Sequence, residues 1–265
     1  MELSRAQTSK LTRRADAPCH AYTVAVDPAQ LTAVSTIAKE AADRAVKRLK
    51  ARRLKTLKTP VIYIAEQARS LLGLFVSAIS GGNLYRKSSF LLNHLDKKIF
   101  PDFIHLQEKP WLERGLGSVP FDGDGVLTHE NVFVEGGRLH QYCLGVYSAK
   151  KLGMKTTGNA GGVHNLEIKT GNMDLSNLLK TMDTGLLITE MMGNGINLLT
   201  GDYSRGVSGF WVENGEIQYP VEEVTVAGRL QDIFMRITDV GNDVDIRGNI
   251  RTGSLLIEEM TVAGN

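Results

Sequence analysis

The stretch TGDYSRGVSGFWVENGEIQYP, Thr200 to Pro220, decides the fold because two strand-forming runs in it are joined by a tight turn. Asn214 and Gly215 accept the positive φ angles that two-residue primed turns require, so they are the predicted turn. With a loop of that length, Val212 faces Ile217 across the hairpin. The segment therefore predicts antiparallel β-structure in this part of the chain.

The aromatic residues of this hairpin are predicted to be structural. Simple alternation puts Phe210 and Tyr219 on the face of Val212, and puts Trp211 and Gln218 on the other face. Aromatic side chains at such positions mostly bury in a core or in a subunit interface.

The pattern outside this stretch extends the same architecture. FVEGGRLHQ at 133–141 predicts a second hairpin, with Gly136 and Gly137 in the turn and Val134 facing Leu139. Further strands are predicted at 61–65, 186–189, 196–200, 221–227 and 254–262, and helices from Pro28 to about residue 50, from Glu66 to Ser80 and from Arg229 to Val240. Runs of strands with few helices predict an α+β fold of mainly antiparallel sheet with hairpins and a few packed helices.

Composition is that of an ordinary globular protein. The chain has 265 residues, 42% of them hydrophobic, and is rich in glycine (27) and poor in proline (7). No apolar run reaches the roughly 18 residues of a membrane span, and the N-terminus has no apolar signal core, so we expect a cytoplasmic protein without membrane contact. Cys19 and Cys143 lie far apart, which indicates neither a disulfide framework nor a thiolate metal site.

Positive charge is concentrated in one segment. Residues 41–60 contain eight Lys or Arg and a single acid, Asp43, although the net charge of the chain is only +2. Asp27 and Gln30 resemble a capping box, and Pro28 fits the first helical position, so the segment is interpreted as the end of a basic amphipathic helix. A solvated face is the favoured interpretation over nucleic-acid binding, because no aromatic or recognition motif accompanies the charge. We expect an N-terminal segment at 1–55 and a second domain at 56–265.

Self-contained catalytic motifs are not found. His129-Glu130 begins a zinc-peptidase pattern, but the next histidine is His140, beyond a predicted turn. Ser148 and Lys151 have the Ser-x-x-Lys spacing, but the accompanying Ser-Asp-Asn is missing. FDGDG at 121–125 has too few oxygen ligands for calcium, and the glycine clusters lack phosphate-loop spacing.

Several long strings resemble one known family. SGGNLYRKSSFLL, SAKKLGMKTTGNAGGVHN, TGDYSRGVSGFWVENGEIQYPVEEVTVAG and VGNDVDIRGNIRTGSLL closely resemble the PmbA (TldE) branch of the TldD/PmbA family, also called modulators of DNA gyrase. The resemblance runs from about His20 to Asn265. Family members carry a further N-terminal domain, so residues 1–55 are expected to be a remnant of it or a link to it.

The resemblance implies a cytoplasmic TldD–TldE assembly that acts as a zinc peptidase on short or unfolded peptides and matures some peptide antibiotics. The TldD branch carries His-Glu-x-x-x-His with a downstream cysteine, and the matching positions here are Val76, Ser77, Gly81 and Thr252. Valine and glycine offer no donor atom, and the neutral hydroxyls of Ser and Thr are poor zinc ligands. No metal site and no catalytic residue are therefore expected in this chain, and zinc is expected in a TldD-like partner.

The implied role is that of a non-catalytic subunit, inactive alone, that completes a peptidase by packing against the TldD-like chain. Tyr203, Ser204 and Arg205 are candidates for binding the peptide, although scaffold is the favoured reading of their strand. One alternative is a regulatory protein acting on gyrase or nucleic acid through the basic helix. Another is an autonomous peptidase with an unfamiliar site.

Overall fold

A computed structural model describes residues 4–8 and 19–264. Its strands are β1 (Ser4–Thr8), β2 (Cys19–Thr23), β3 (Leu57–Tyr63), β4 (Leu106–Glu108), β5 (Asn131–Glu135), β6 (Arg138–Leu139), β7 (Leu166–Ile168), β8 (Gly185–Asn197), β9 (Asp202–Glu213), β10 (Glu216–Arg229), β11 (Ile237–Val240), β12 (Ile250–Arg251) and β13 (Leu255–Ala263). Its helices are α1 (Val34–Lys47), α2 (Ala65–Ile79), α3 (Gly81–Tyr85), α4 (Val146–Leu152), α5 (Leu175–Met182) and α6 (Leu230–Met235).

The largest sheet closes on itself. Its order is β10-β9-β8-β3-β13-β11, and β10 also pairs with β13, where Val226 lies opposite Val262. Five strands, β10, β9, β8, β3 and β13, therefore form a ring, and β11 extends β13 outside it. All of these pairs are antiparallel except β3 with β8. Closure leaves less unpaired strand edge than an open sheet of the same strands would.

Strand β3 shows how this sheet divides the core. Val61 and Tyr63 belong to the large cluster that includes the apolar side of α2, whereas Ile62 belongs to a second cluster with Leu178 and Leu179 of α5. Successive side chains of a strand point to opposite faces, so α2 and α5 cover opposite faces of the sheet. All three of these β3 residues are fully buried, which explains why the strand ends in an apolar run at 61–63.

Two smaller sheets complete the fold. One has the order β12-β7-β4-β5-β6 and is antiparallel except for β12 with β7. The other is the β1-β2 ribbon, which contacts α1 and shares with it a small separate core of Ala21, Ile37 and Ala41. The α+β, mainly antiparallel fold predicted from the sequence is confirmed.

Both predicted hairpins form with the predicted register. Val212 pairs with Ile217 and Val134 with Leu139. The predicted face of Tyr219 is wrong, because a bulge between Ile217 and Tyr219 makes Tyr219 pair with Trp211. One extra residue on one strand moves the following side chains to the other face, here up to the second register shift between Val221 and Val224.

The predicted helix from Arg229 to Val240 is half right. Helix α6 ends at Met235, and the following residues form β11, in which Ile237 pairs with Ile257 of β13. A neighbouring strand with free hydrogen-bonding groups overrides the helical spacing of the apolar residues.

Two further boundaries differ from the sequence predictions. Asp27 caps only a short 3-10 turn, Pro28–Gln30, by accepting a hydrogen bond from the N–H of Ala29 at 3.0 Å, and α1 begins later, at Val34. The strand predicted at 186–189 lies within the longer strand β8, which ends at Asn197, so only the first two residues of the strand predicted at 196–200 belong to it. Within the described residues, no helix is both long and apolar enough to cross a membrane.

Candidate functional site

The four positions that match the TldD-type metal motif lie around one end of α2. Val76 and Ser77 are in the last turn of α2, Gly81 begins α3, and Thr252 directly follows β12. Helix α2 contacts both α3 and β12. The fold therefore brings the segments that carry these positions together.

The side chains at these positions do not fit a zinc ion. Val76 is a hydrocarbon, and the Ser77 hydroxyl donates to the carbonyl of Gly73 at 2.9 Å. Thr252 is fully buried, and its hydroxyl donates to the carbonyl of Gly253 at 2.8 Å. Zinc sites in proteins use thiolate, imidazole or carboxylate groups, so two neutral hydroxyls that already have acceptors are poor ligands.

Gly81 is closed to any side chain. A Cβ on Gly81 would lie 2.3 Å from Oγ of Ser148 and 2.9 Å from Cδ2 of Leu144. The N–H of Gly81 donates to the carbonyl of Cys143 at 2.9 Å, which holds the backbone in place. Helix α4 thus occupies the volume that a histidine at this position would need.

Elsewhere in the part of the chain that the structure describes, no group of three or more His, Cys, Asp or Glu side chains could hold a metal ion. Cys143 lies close to this end of α2, but burial, together with the negative charge of Glu108, raises the pKa of its thiol far above the usual value. Because the thiolate is the metal-binding form, Cys143 is not a ready ligand.

The first half of α2 borders an open cleft, which we call the α2 cleft. It consists of a cavity of about 200 Å³ between α1, α2 and β8, and an adjoining cavity of about 430 Å³ that extends along α2. Both cavities are lined by His20, Glu66, Gln67 and Glu190. The cleft therefore carries charged and polar side chains beside apolar ones such as Ile64 and Phe210, and it lies between the N-terminal ribbon and the main sheet.

Glu66 is the centre of an ion-pair network in this cleft. Its side chain is only 8% exposed, and its Oε2 lies 3.1 Å from Nη2 of Arg44 and 3.2 Å from Nη2 of Arg247. Arg247 also lies over the ring of Tyr22, 4.7 Å from its centroid. Charged groups this buried are stable only when they are paired, so the network fixes α1, β2 and the segment after β11 against α2.

Asp245 continues the network. Its Oδ1 accepts hydrogen bonds from the backbone N–H and from Nε of Arg247, each at 2.9 Å, and its Oδ2 lies 3.8 Å from Nη1 of Arg69. Burial alone would raise the pKa of Asp245, but the hydrogen bonds from Arg247 and the charge of Arg69 outweigh it and lower the pKa. The carboxylate therefore stays ionised in the folded protein at neutral pH.

The start of α2 is held by a residue that is distant in sequence. Ile64 provides no capping side chain, and the N–H of Ala65 donates instead to Oγ of Ser254 at 3.1 Å. The Ser254 hydroxyl donates in turn to Oδ2 of Asp243 at 2.6 Å. An Asp243–Ser254 pair thus satisfies one of the free amides at the helix N-terminus.

The structure separates the three residues proposed to bind peptide. Tyr203 is buried, its hydroxyl lies 3.3 Å from that of Tyr63, and burial raises the pKa of its phenol. Ser204 is exposed on the opposite face of β9. Arg205 lies on the Tyr203 face, where Nη1 is 3.4 Å from Oγ of Ser70 and Nε is buried without an acceptor. Of the three, Arg205 reaches a residue that lines the α2 cleft. Their peptide-binding role stays a prediction.

Half of the eight cations at 41–60 are paired with acids of the same chain. Arg44 pairs with Glu40 and Glu66, and Arg48 with Glu190. Two further pairs are Arg53 with Glu223 and Lys58 with Glu259. These contacts reduce the free positive charge of the segment.

Sequence reasoning missed a buried carboxylate, Glu108. It is fully buried, and it accepts hydrogen bonds from Nδ2 of Asn159 at 2.8 and 3.0 Å and from the N–H of His164 at 2.8 Å. Burial raises the pKa of Glu108 against these bonds. The group organises the glycine-rich string NAGGVHN, so that string is a buried polar junction. The asparagines at the two ends of NAGGVHN are the feature of the sequence that could have indicated these polar contacts.

Comparison with known proteins shows the family of the chain. A family model described as PmbA/TldA metallopeptidase C-terminal domain matches residues 56–264. The Escherichia coli O157:H7 protein named Metalloprotease PmbA is 49% identical over 245 residues, which cover 92% of this chain and 54% of that protein. A Metalloprotease TldD homolog of Buchnera aphidicola is 23% identical over 209 residues, which cover 69% of this chain and 43% of that protein. The chain spans about half the length of the curated relatives it matches.

Two solved structures are also similar to this chain. A Bacteroides thetaiotaomicron crystal structure, named as a candidate modulator of DNA gyrase, matches with a TM-score of 0.92 and 29% identity, covering 99% of this chain and 59% of that one. The crystal structure of TldE from Thermococcus kodakarensis matches with a TM-score of 0.78 and 23% identity, covering 93% and 59%. The second match shows likeness of fold.

Proposed function

The chain belongs to the PmbA/TldD metallopeptidase family, and we propose that it is the non-catalytic, TldE-type subunit of a zinc peptidase complex. In this proposal a TldD-like partner holds the zinc and carries out hydrolysis of short or unfolded peptides. The complex acts in the cytoplasm, as the sequence predicts.

The observation that carries the proposal is the closed end of α2. Val76 and Gly81 have no donor atom, and Ser77 and the fully buried Thr252 offer only neutral hydroxyls that already bond to backbone carbonyls. The space beside Gly81 is filled by Ser148. This chain has the fold of the family, but packed side chains occupy the place of the metal. We therefore assign it the role of a subunit that supports a catalytic partner.

The proposal assigns peptide contacts to the other half of α2. Arg205 is half-buried and its Nη1 lies 3.4 Å from Oγ of Ser70, which lines the α2 cleft, so its guanidinium is the cation placed to meet a peptide carbonyl or carboxylate there. Ser204 and Tyr203 remain candidates with it, Ser204 through its exposed hydroxyl and Tyr203 by packing beneath Arg205.

The proposed division into residues 1–55 and 56–265 has two supports. The matched family model begins at residue 56, and the ribbon and α1 have their own small core at Ala21, Ile37 and Ala41. In the proposal the N-terminal segment, with its basic helix, links this domain to the further N-terminal domain of the family.

Co-expression with the cognate TldD-like protein tests the proposal. We expect the two chains to co-purify and the mixture to cleave an unfolded reporter peptide, while this chain alone cleaves nothing. A TldD-like partner carrying Gln in place of its motif Glu is the control, because it should assemble without turnover. The proposal fails if the chains do not associate, or if this chain cleaves the peptide unaided.

The competing role on gyrase or nucleic acid has weaker local support. Four of the eight cations of residues 41–60 are paired within the chain. A DNA titration at low salt separates the two roles, since binding through phosphates would weaken steeply with added salt.

A further inference from the structure

We propose that an exposed basic and aromatic surface on α3 and α4 binds acidic segments of extended peptides. We call it the tyrosine–lysine patch. The inference rests on the proposed function and deepens it by naming a substrate class. The patch consists of Tyr85, Arg86, Lys87, Tyr147, Lys150 and Lys151.

The patch is a continuous surface of two helices. The rings of Tyr85 on α3 and Tyr147 on α4 meet edge to face with centroids 5.7 Å apart. The guanidinium of Arg86 lies 5.3 Å from the centroid of Tyr85, and Nζ of Lys151 lies 5.6 Å from that of Tyr147. Tyr147 is 62% exposed, so an aromatic ring stands in solvent among cations.

The cations of the patch are not neutralised within the chain. Arg86 bonds only to neutral groups, the hydroxyl of Tyr85 at 3.3 Å and Oδ1 of Asn83 at 3.2 Å. Arg86, Lys87, Lys150 and Lys151 are all exposed and take part in none of the ion pairs found among the described residues. This differs from the basic segment of α1, where Arg44 and Arg48 are paired.

A carboxylate near the patch is already engaged. Oδ2 of Asp124 accepts the N–H of Val146 at 2.7 Å, at the start of α4. Lys150 and Lys151 lie in the last turn of the same helix. The patch is therefore net positive, and its complementary ligand is an anion.

The arrangement favours an acidic peptide over a nucleic acid. Binding of single strands by stacking needs open ring faces on which bases can lie. Here each tyrosine has a cation of the chain over its ring, and the two rings meet edge to face. Carboxylates of Asp or Glu side chains can instead pair with the spaced cations and accept hydrogen bonds from the tyrosine hydroxyls.

The position of the patch connects it to the peptidase role. Gly81, which matches the last histidine of the TldD-type motif, begins the helix that ends at Tyr85, and a Cβ on it would touch Ser148 of α4. The patch thus lies on the helices that close this end of α2. A peptide held there would lie beside the region that corresponds to the partner's metal motif.

Fluorescence anisotropy on the full chain tests the patch. The probes are a labelled, unstructured peptide rich in Asp and Glu, the same peptide with Asn and Gln at those positions, and an oligothymidylate of equal charge. We expect saturable binding of the acidic peptide at low salt, weaker binding of the neutral one, and loss of binding as salt shortens the Debye length from about 10 Å at 0.1 M to about 3 Å at 1 M.

A charge-reversed variant and a matched control sharpen the test. Lys150→Glu with Lys151→Glu should weaken binding of the acidic peptide at least about tenfold. Lys39→Glu with Lys180→Glu makes the same change of net charge at exposed lysines on α1 and α5 and should leave binding nearly unchanged. Because positive charge also stabilises the end of α4, Lys150→Gln with Lys151→Gln and thermal unfolding of each variant accompany the measurement.

Three results would overturn the inference: no saturable binding of the acidic peptide, equal weakening by both reversed pairs, or oligothymidylate binding as tight as that of the acidic peptide. Failure of the proposed function would give a different result, in which the mixed complex cleaves no peptide of any kind. If that complex forms, the patch variant should lose turnover of acidic peptides and keep turnover of neutral ones. Equal turnover of both would remove the inference alone.

Discussion

Different interactions hold the two halves of helix α2 in place. The first half is fixed by charge: Glu66 is paired with two arginines, and Arg69 lies beside the buried Asp245. The second half is held by packing. The Ser77 hydroxyl donates to the carbonyl of Gly73 in the same helix, and Gly81, which follows at the start of α3, lies against Ser148. One end therefore borders an open cleft with charged side chains, and the other end is closed by packing.

This difference indicates which end of α2 can bind a ligand and which end cannot hold a metal. An open cleft with a partly unsatisfied arginine can bind a ligand, whereas a closed end without donor atoms cannot hold a metal. Binding and hydrolysis are thus separable properties of one helix. The following predictions test this contrast, beginning with the largest effect.

Removing the carboxylate of Asp245 should have the largest effect. Its side chain is 4% exposed, and Asp245→Ala leaves Arg69 without its anion and Arg247 with Glu66 alone, so we expect a loss of about 3 kcal/mol in the free energy of unfolding. Urea unfolding at neutral pH measures it. Glu40→Ala, which breaks the exposed pair with Arg44, is the control and should cost about 0.3–0.5 kcal/mol.

The pH dependence of the Asp245 effect has a definite sign. Its pKa is lower in the folded protein than in the unfolded chain, so its stabilisation is present above the unfolded value and is lost as the pH falls through the folded value. The difference in stability between wild type and Asp245→Ala should shrink as the pH falls below about 4. A difference that is constant down to pH 2 would contradict the assigned network.

The closed end should respond to added volume. Gly81→Ala places a methyl group 2.3 Å from Oγ of Ser148, so we expect a loss of about 2 kcal/mol in the free energy of unfolding. At the neighbouring Gly82 the nearest atom to a Cβ is the flexible Arg86 side chain at 3.4 Å, so Gly82→Ala should be close to neutral. Equal stability of the two variants would show that this end of α2 is not closed.

The open half should respond in turnover rather than in assembly. Arg205→Ala should lower kcat/KM of the mixed complex about tenfold, a loss of about 1.4 kcal/mol, because the peptide loses a charged donor beside the α2 cleft. Co-purification with the partner should be unchanged. Arg229→Ala, an exposed cation bonded only to the carbonyl of Thr200, is the control. Unchanged turnover in Arg205→Ala would remove the peptide-binding role.

Local turn chemistry made much of the fold predictable. Asn214-Gly215 and Gly136-Gly137 determine their hairpins because few other residues accept the required φ angles, and both registers are as predicted. The bulge at Gln218 could not be predicted in this way, since nothing in the alternation marks an extra residue. The closure of β10 on β13 depends on pairing between residues far apart in the chain.

The absence of zinc ligands at the candidate site could be predicted from the sequence, but the packing around the site could not. The residues Val76, Ser77, Gly81 and Thr252 could be read by resemblance as lacking donors. Two features depend on tertiary packing and left no local signal: Ser148 fills the space beside Gly81, and Arg247 reaches Glu66 from a distant segment.

Zinc content of the purified chain tests the central claim most directly. After exposure to zinc and dialysis, elemental analysis of the chain should find no stoichiometric metal, and Ser77→Ala and Thr252→Val should not change the result, while the mixed complex with a TldD-like partner contains zinc and cleaves peptide. One tightly held zinc per chain that either substitution removes, together with proteolysis by the chain alone, would contradict the account.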